Sequence, residues 1–187
     1  RLIVHLAGLP LSVAGLTVNR LCGSSMQAIH IAAGAIQLNA GHVFICAGVE
    51  SMSRIPMGGF NFMPNPALHE SFPQAYIAMG DTAENLALQY HIERPEQEDF
   101  ALASQRKAYE AQQQSRFADE IVPIVTSANE TVAADGCLRP DSTAADLAKL
   151  TPAFQANGTV TAGTSSPLTD GAAAVLVEQG ANLDVSP

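Results

Sequence analysis

The segment from residue 13 to residue 49 consists of two apolar runs separated by a helical pattern. Residues 13–18 are largely apolar, residues 24–38 repeat apolar side chains at helical spacing, and residues 43–49 are continuously apolar. The order strand, helix, strand predicts a βαβ unit with a parallel sheet, in which both strands are buried. A continuously apolar second strand is typical of one covered on both faces. The chain is therefore predicted to be an α/β protein.

Cys22 lies between the first predicted strand and the predicted helix. Small residues follow it at positions 23–25, so the thiol is expected at the N-terminus of the helix. The helix dipole and the unpaired backbone N–H groups at that end favour the thiolate, which is the nucleophilic form. This arrangement suits a cysteine that carries acyl groups. The alternative is a structural cysteine buried beside a tight turn.

The rest of the chain combines short regular elements with one irregular stretch. Residues 51–74 are rich in Pro, Met, Gly and Asn and are predicted to form an ordered insertion. Helices are predicted at residues 81–90, 95–113 and 144–150, and strands at residues 120–125, 158–162 and 172–177, the last one again buried on both faces. The inner face of the helix over 95–113 is predicted to carry Phe100, Ala103 or Ser104, Ala108 and Ala111.

Charge and cysteine usage narrow the function classes. A net charge of −9 disfavours general binding to nucleic acid or to an anionic membrane. Cys22, Cys46 and Cys137 lack the spacing of a zinc site or a disulfide framework, which favours a reduced, cytoplasmic setting and no metal. No apolar run approaches the ~20 residues that span a bilayer, and the first residues do not resemble a signal peptide.

Several sequence blocks occur together in one order. They read NRLCGS at 19–24, AGVESMS at 47–53, MGDTAEN at 79–85, DEIVP at 119–123, GTVTAGTSS at 158–166 and DGAAA at 170–174. On these blocks the chain resembles the thiolase family over nearly its whole length, and is most similar to the degradative 3-ketoacyl-CoA thiolases, which are acetyl-CoA C-acyltransferases of fatty-acid β-oxidation. The resemblance implies a thiolase-like α/β fold with a partial N-terminal domain, containing a mixed sheet and helices, and an inserted loop domain.

The resemblance also implies domain limits and residue roles. Residues 1–50 and 166–187 match parts of the N-terminal thiolase domain, and residues 51–165 match the loop domain that holds coenzyme A (CoA). Within these ranges, Cys22 matches the nucleophile, Arg139 a basic residue near the nucleotide end of CoA, Ala162 and Ser166 contacts to the pantetheine arm, and Met79 a residue lining the acyl pocket. By residue type alone, Met79 suits a core position and Arg139 a solvated surface charge.

The family implies partners and also shows what this sequence lacks. CoA is expected as a co-substrate with no tightly bound cofactor, and the protein as a homodimer, a homotetramer or part of a β-oxidation complex, with an acyl-CoA substrate. Thiolases use a His in a Gly-His-Pro setting and a second Cys in a Cys-x-Gly setting as base and acid. Gly-His-Pro does not occur in the sequence, and the one Cys-x-Gly run, at residues 46–48, lies in the predicted buried strand over 43–49. We therefore expect the chain to be an internal fragment that is inactive or nearly so, with exposed sheet edges.

Other functions remain open at this point. A biosynthetic acetoacetyl-CoA thiolase is disfavoured by Ala78, Asp146 and the run at 164–166, where that type carries other residues. A ketoacyl synthase, which shares the fold and a nucleophilic cysteine, is disfavoured by the long insertion. A non-catalytic acyl-CoA-binding relative of thiolases is the third alternative.

Overall fold

The computed structural model describes residues 1–180 of the chain. Its elements are, in chain order, α1 (Ile3–Leu6), α2 (Ser24–Gln37), β1 (Val43–Glu50), α3 (Pro66–Ser71), a 3₁₀ helix (Pro73–Tyr76), α4 (Met79–Tyr90), α5 (Arg94–Gln113), β2 (Ile124–Val125), β3 (Thr131–Val132), α6 (Ala144–Leu147), a second 3₁₀ helix (Ala162–Thr164) and β4 (Gly171–Glu178). The predicted helices after Cys22, before His91 and around residue 100 are confirmed, and the α/β class holds.

The chain divides into two compact units. The first unit contains Arg1–Phe60 together with the segment from Leu168 onward, and the second contains Asn61–Pro167. The predicted limits at residues 50, 51, 165 and 166 concern family domains and remain predictions. The last residues of the predicted return segment, 181–187, lie outside the described residues.

The sheet of the first unit differs from the predicted βαβ arrangement. β1 pairs with β4 in antiparallel register, from Val43 opposite Glu178 to Glu50 opposite Gly171. The predicted strand over residues 13–18 is wrong, as is its parallel pairing. The physical reason is the lack of a partner, because no strand among the described residues lies beside this run and a strand exists only in a ladder.

Both long strands are less buried than predicted. In β1 only Cys46 is buried, at 7% exposure, and β4 has no buried residue, so burial on both faces is wrong for both strands. The described sheet has two strands, and α2 packs against it. Gly48 permits this close approach, since a Cβ at Gly48 would lie 2.0 Å from Oγ of Ser25 on α2.

The second unit is organised around α4 and α5. A capping box between Glu93 and Glu96 begins α5. The prediction that Phe100 lies on the inner face is wrong, because its side chain is 79% exposed whereas Glu98 is 6% exposed. Two residues turn an α-helix by about 200°, so burial of Glu98 directs Phe100 outward.

Two predicted strands of the second unit are shorter or absent. The strand predicted over 120–125 is limited to β2, which pairs with β3. The strand predicted over 158–162 is wrong, because its one pairing is an isolated bridge between Thr161 and Pro152. The backbone N–H groups of Thr159 and Val160 donate to the carboxylate of Glu84 instead of to a neighbouring strand.

Candidate active site

Cys22 follows a tight turn that leads into α2. Leu21 adopts a left-handed backbone conformation with φ of 49°, which is uncommon for a residue other than glycine. Its N–H donates to Oδ1 of Asn19 at 2.9 Å, and its carbonyl accepts from Oγ of Ser24 at 2.6 Å. The N–H of Arg20 donates to the same Oγ at 2.8 Å. The turn is therefore fixed by bonds between residues close in sequence.

The thiol of Cys22 lies on the surface immediately before the helix. Cys22 is exposed, Gly23 is the N-cap residue, and α2 extends over 14 residues. Because the N-terminus of a helix carries partial positive charge, an anion developing near this end is stabilised. Cys46 is buried in β1, so the two cysteines have different access to solvent. The exposure of Cys22 agrees with a reactive thiol.

Met79, Ala162 and Ser166 lie in the second unit. Met79 is the first residue of α4 and is 69% exposed. Ala162 begins the second 3₁₀ helix, and Ser166 follows it; both are exposed. The carboxylate of Glu84, on α4, is hydrogen-bonded to the segment immediately before Ala162. One buried group thus joins the two elements that carry these three predicted residues.

The bonds to Glu84 come from both backbone and side chain. The N–H of Thr159 donates to the two carboxylate oxygens at 3.0 and 2.9 Å, and its hydroxyl donates at 3.1 Å. The N–H of Val160 donates at 2.9 Å. Burial by itself raises the pKa of Glu84, but the bonds from Thr159 and Val160 outweigh burial and hold the pKa below its ordinary value. The carboxylate is therefore ionised at neutral pH.

The turn that follows Thr159 and Val160 is stabilised by hydrogen bonds among its own residues. Thr161 is fully buried, and its side chain accepts from the N–H of Gly163 at 3.2 Å. The N–H of Thr161 donates to Oγ1 of Thr164 at 3.1 Å, and its carbonyl accepts from Oγ of Ser165 at 2.8 Å. These bonds fix the backbone around Ala162.

A second buried group supports the same turn from α5. Arg94 donates to the carboxylate of Glu98 at 2.6 Å and to the carbonyls of Leu147 and Leu150 at 2.9 and 2.7 Å. The side chains of these leucines press against Gly163, where a Cβ would lie 2.5 Å from Cδ2 of Leu147. The end of α6 is thus fixed between α5 and the 3₁₀ helix.

Arg139 lies on a different segment of the second unit. Its N–H donates to Oε1 of Gln105 on α5 at 2.8 Å. One guanidinium nitrogen donates to the carbonyls of Gly136 and Leu138 at 3.0 and 2.9 Å. Arg139 is exposed, so the remaining N–H groups of the guanidinium face solvent-accessible space at the surface. The structure attaches Arg139 to α5 rather than to the Ala162 turn.

Sequence reasoning missed the buried polar residues. Glu84 and Gly158 both stand inside the quoted blocks, yet nothing in their spacing indicates that the two meet. Nothing in the sequence indicates either that Nε2 of Gln97 donates to Oγ1 of Thr159, at 2.9 Å. Buried charges are rare unless paired, so a glutamate within a helical apolar stripe was the available signal.

Among residues 1–180, no group of three or more His, Cys, Asp or Glu residues is arranged to hold a metal ion. No helix in that range is both long enough and apolar enough to cross a membrane.

Comparison with known proteins gives consistent matches. A family model described as "Thiolase, N-terminal domain" matches residues 1–181. The curated 3-ketoacyl-CoA thiolase of Idiomarina loihiensis is 48% identical over 178 residues, and that of Bacillus subtilis is 43% identical over 189 residues. These matches cover 92% and 95% of this chain but 46% and 48% of the relatives, so the chain spans about half the length of the curated relatives it matches.

Solved structures match over the same portion. The dimeric peroxisomal thiolase of Saccharomyces cerevisiae has a TM-score of 0.86 at 34% identity, covering 94% of this chain and 46% of that one. Human mitochondrial 3-ketoacyl-CoA thiolase in complex with CoA has a TM-score of 0.78 at 35% identity, covering 93% and 47%.

Proposed function

The chain belongs to the thiolase family, and we propose that Cys22 is the nucleophile of a thiolytic acyl transfer from a 3-ketoacyl-CoA to CoA. One observation carries the proposal: an exposed thiol follows a left-handed turn at the start of a 14-residue helix. The relatives from Idiomarina loihiensis and Bacillus subtilis bear the name 3-ketoacyl-CoA thiolase. That name gives the substrate class.

The chemistry requires two transfers at Cys22. In the first, the thiolate forms a bond to the 3-keto carbon, the bond between C2 and C3 breaks, and acetyl-CoA leaves after C2 is protonated. In the second, the sulfur of CoA attacks the acyl thioester and the thiolate of Cys22 leaves with the bonding electrons. Only the second step exchanges one thiol for another of similar reactivity. In the first step the electrons of the broken C2–C3 bond are held at C2 next to the thioester carbonyl until C2 is protonated, and the product is the acyl thioester of Cys22.

The remaining predicted residues are proposed to bind CoA, which acts as co-substrate rather than as a tightly bound cofactor. Ala162 and Ser166 would contact the pantetheine arm, and Met79 would line the acyl pocket. Arg139 would face the nucleotide end, because a guanidinium suits phosphate and aromatic faces. Support comes from the exposure of all four residues and from the CoA complex of the human mitochondrial relative.

Assembly and setting follow from the relatives as further proposals. The Saccharomyces cerevisiae relative is dimeric by name, and we propose that the full protein is a homodimer or homotetramer in the cytoplasm. The degradative reaction places it in fatty-acid β-oxidation, where association with the other enzymes of that pathway is an alternative assembly.

The 187-residue chain by itself is proposed to lack turnover. A thiolate nucleophile needs a base to generate it and an acid to protonate the departing carbon. Gly-His-Pro does not occur in the sequence, and the cysteine of its one Cys-x-Gly run, Cys46, is buried in β1. Cleavage of a 3-ketoacyl-CoA by this chain at the rate of a whole thiolase would contradict this proposal.

Intact-mass measurement after incubation with acetyl-CoA tests the nucleophile. We expect an acetyl adduct on the chain that forms slowly, because a single acylation needs no turnover, and that is lost in Cys22→Ser. Peptide mapping should place it on Cys22 and not on Cys137. An adduct of equal yield in Cys22→Ser would overturn the assignment.

Alkylation kinetics supply a test that needs no acyl donor. Iodoacetamide at neutral pH should modify Cys22 faster than buried Cys46, since the thiolate is the reacting form and access is required. Cys22→Ser should remove the fast phase and leave the slow phase unchanged. A fast phase that survives this substitution would contradict the proposal.

A further inference from the structure

Glu84 is a buried carboxylate that takes no part in the proposed thiolytic reaction. Its exposure is 6%, and its partners are three donor groups on the backbone and side chain of residues 159 and 160. Among the described residues, no cation lies within salt-bridge distance of this carboxylate. A buried charge satisfied by backbone N–H groups fixes the backbone that supplies them.

The approach of the two segments is specific to the residues present. A Cβ at Gly158 would lie 2.1 Å from Oε1 of Glu84, so any larger residue would separate the backbone from the carboxylate. Gln97 donates to the hydroxyl of Thr159 at 2.9 Å, which leaves the hydroxyl proton directed to Glu84. The hydrogen bonds are donated in one direction, from Gln97 on α5 to Thr159 and from Thr159 to Glu84 on α4.

The ring of Phe154 makes a second contact between α4 and the segment that contains Thr159 and Val160. The N–H of Ala153 donates to the carbonyl of Val160 at 2.9 Å. The neighbouring Phe154 packs on α4 so closely that a Cβ at Gly80 would lie 2.2 Å from its ring. Residues 153–160 are therefore held against α4 near its start, beside Met79, and again at Glu84.

We propose that Glu84 is a positioning residue for CoA: it sets the separation between Met79 on α4 and the turn that carries Ala162 and Ser166. This inference rests on the proposed function, which assigns the pantetheine arm and the acyl pocket to those residues. Glu84 does not touch the ligand in this scheme. It acts through Thr159 and Val160, whose backbone leads directly into the turn.

Calorimetric titration of the 187-residue chain with CoA tests the proposal. Glu84→Gln replaces one acceptor oxygen by an NH₂ group that faces N–H donors, and we expect the Kd for CoA to rise about tenfold. Asn65→Ala is the control, because it removes the side-chain cap of α3 in the same unit, where the N–H of Leu68 donates to Oδ1 of Asn65 at 3.0 Å, and so lowers stability through a bond outside the Ala162 turn. The control should change the Kd by less than about twofold at comparable loss of stability.

Hydrogen exchange supplies a readout independent of the ligand. In Glu84→Gln the amides of residues 159–166 should exchange about tenfold faster, while those of the middle of α5 remain unchanged. If the variant does not fold, Thr159→Val removes one donor without changing charge and should shift exchange and Kd in the same direction by a smaller factor.

The outcomes separate the two proposals. If the unchanged chain does not bind CoA, the proposed CoA site fails, and exchange alone decides whether Glu84 positions the turn. If the unchanged chain binds CoA and Glu84→Gln binds it equally well, the role of Glu84 is overturned while the site stands. Equal weakening by Asn65→Ala would also overturn it, since the loss would then reflect stability alone.

Discussion

The turn before Cys22 and the segment before Ala162 are built by opposite means. The bonds at the turn join residues two to seven positions apart, and all are exposed. The bonds that Thr159 and Val160 make with Glu84 and Gln97 join residues 62 to 76 positions apart, and they are buried or partly buried. The proposed nucleophile is thus presented by local geometry, and the proposed ligand segment by long-range packing.

This difference has an energetic consequence. Exposed hydrogen bonds compete with water and contribute little, so the turn depends on the left-handed backbone of Leu21 and on the packing of α2. Buried bonds to an ionised group are stronger, and each donor left unsatisfied costs about 1 to 3 kcal/mol. Substitutions should therefore damage the second region more than the first.

The largest effect is expected from Gly158→Ala. The added methyl group would lie 2.1 Å from Oε1 of Glu84, so it must displace the carboxylate and break bonds to Thr159 and Val160. Overpacking and unsatisfied donors together predict a loss of about 3 kcal/mol in the free energy of unfolding, measured by urea denaturation. Gly136→Ala is the control, because a Cβ there meets no atom within 4 Å. Equal effects of the two variants would remove the contrast between the regions.

Leu21→Val should have the next largest effect, although it changes an exposed residue. Leu21 is 83% exposed and has φ of 49°, and a β-branched side chain is strongly disfavoured in that conformation. We expect a loss of about 1.5 kcal/mol in the free energy of unfolding. Leu16→Val provides the control at 71% exposure without positive φ, and should change stability by less than about 0.5 kcal/mol. Equal losses in both variants would show that the turn holds no strain.

Gly48→Ala examines a long-range contact between β1 and the start of α2, which follows the turn. The new Cβ would lie 2.0 Å from Oγ of Ser25 and 3.3 Å from its Cβ. Rotation of Ser25 relieves part of the overlap, so the expected loss is about 1 kcal/mol by thermal denaturation. In the double variant with Ser25→Ala about half of this loss should disappear. A double variant no more stable than Gly48→Ala would place the strain elsewhere.

The same distinction explains which elements could be predicted from the sequence. α2, α4 and α5 were predictable because their signals are local: apolar spacing, Pro95 in the first turn and the acidic residues that follow it. The position of Cys22 at the start of a helix could also be predicted, since small residues follow it directly, whereas its exposure was not predicted. The roles of residues 79, 139, 162 and 166 came from the resemblance. By residue type alone, Met79 suits a core position and Arg139 a solvated surface charge.

Each failed prediction depends on a distant partner or on a buried charge. The run at 13–18 has strand composition but no described strand beside it. The run at 158–162 has strand composition too, but Glu84 accepts the N–H bonds that a ladder would use. Phe100 faces outward because Glu98 pairs with Arg94 on the inner side of α5. In each case the deciding atom is more than one element away or belongs to a buried charge, and hydrophobic periodicity carries no such information.

The bonds between Ser53 and Asp170 test whether sequence separation or burial causes the energetic difference between the turn before Cys22 and the segment before Ala162. The two residues lie 117 positions apart, yet their bonds are exposed: the N–H and the hydroxyl of Ser53 donate to the carboxylate at 2.8 and 2.5 Å. The hydroxyl of Ser53 and then its backbone N–H lower the pKa of Asp170. The contribution of these bonds to the stability of the folded state is therefore present above the unfolded pKa of about 3.9, and it is lost as pH falls through the folded pKa of Asp170.

Ser53→Ala should produce the smallest effect of the series. It removes the hydroxyl but keeps the N–H, so the pKa of Asp170 should rise part of the way to its ordinary value, as followed by NMR titration of the carboxyl carbon. Thr126→Ala, which removes an exposed hydroxyl acceptor in the other unit, should leave that pKa unchanged. If burial sets the energetic cost, stability at neutral pH should hardly change, as expected for an exposed bond. A loss as large as that of Gly158→Ala would instead make sequence separation the deciding variable, since loop closure would then dominate over desolvation.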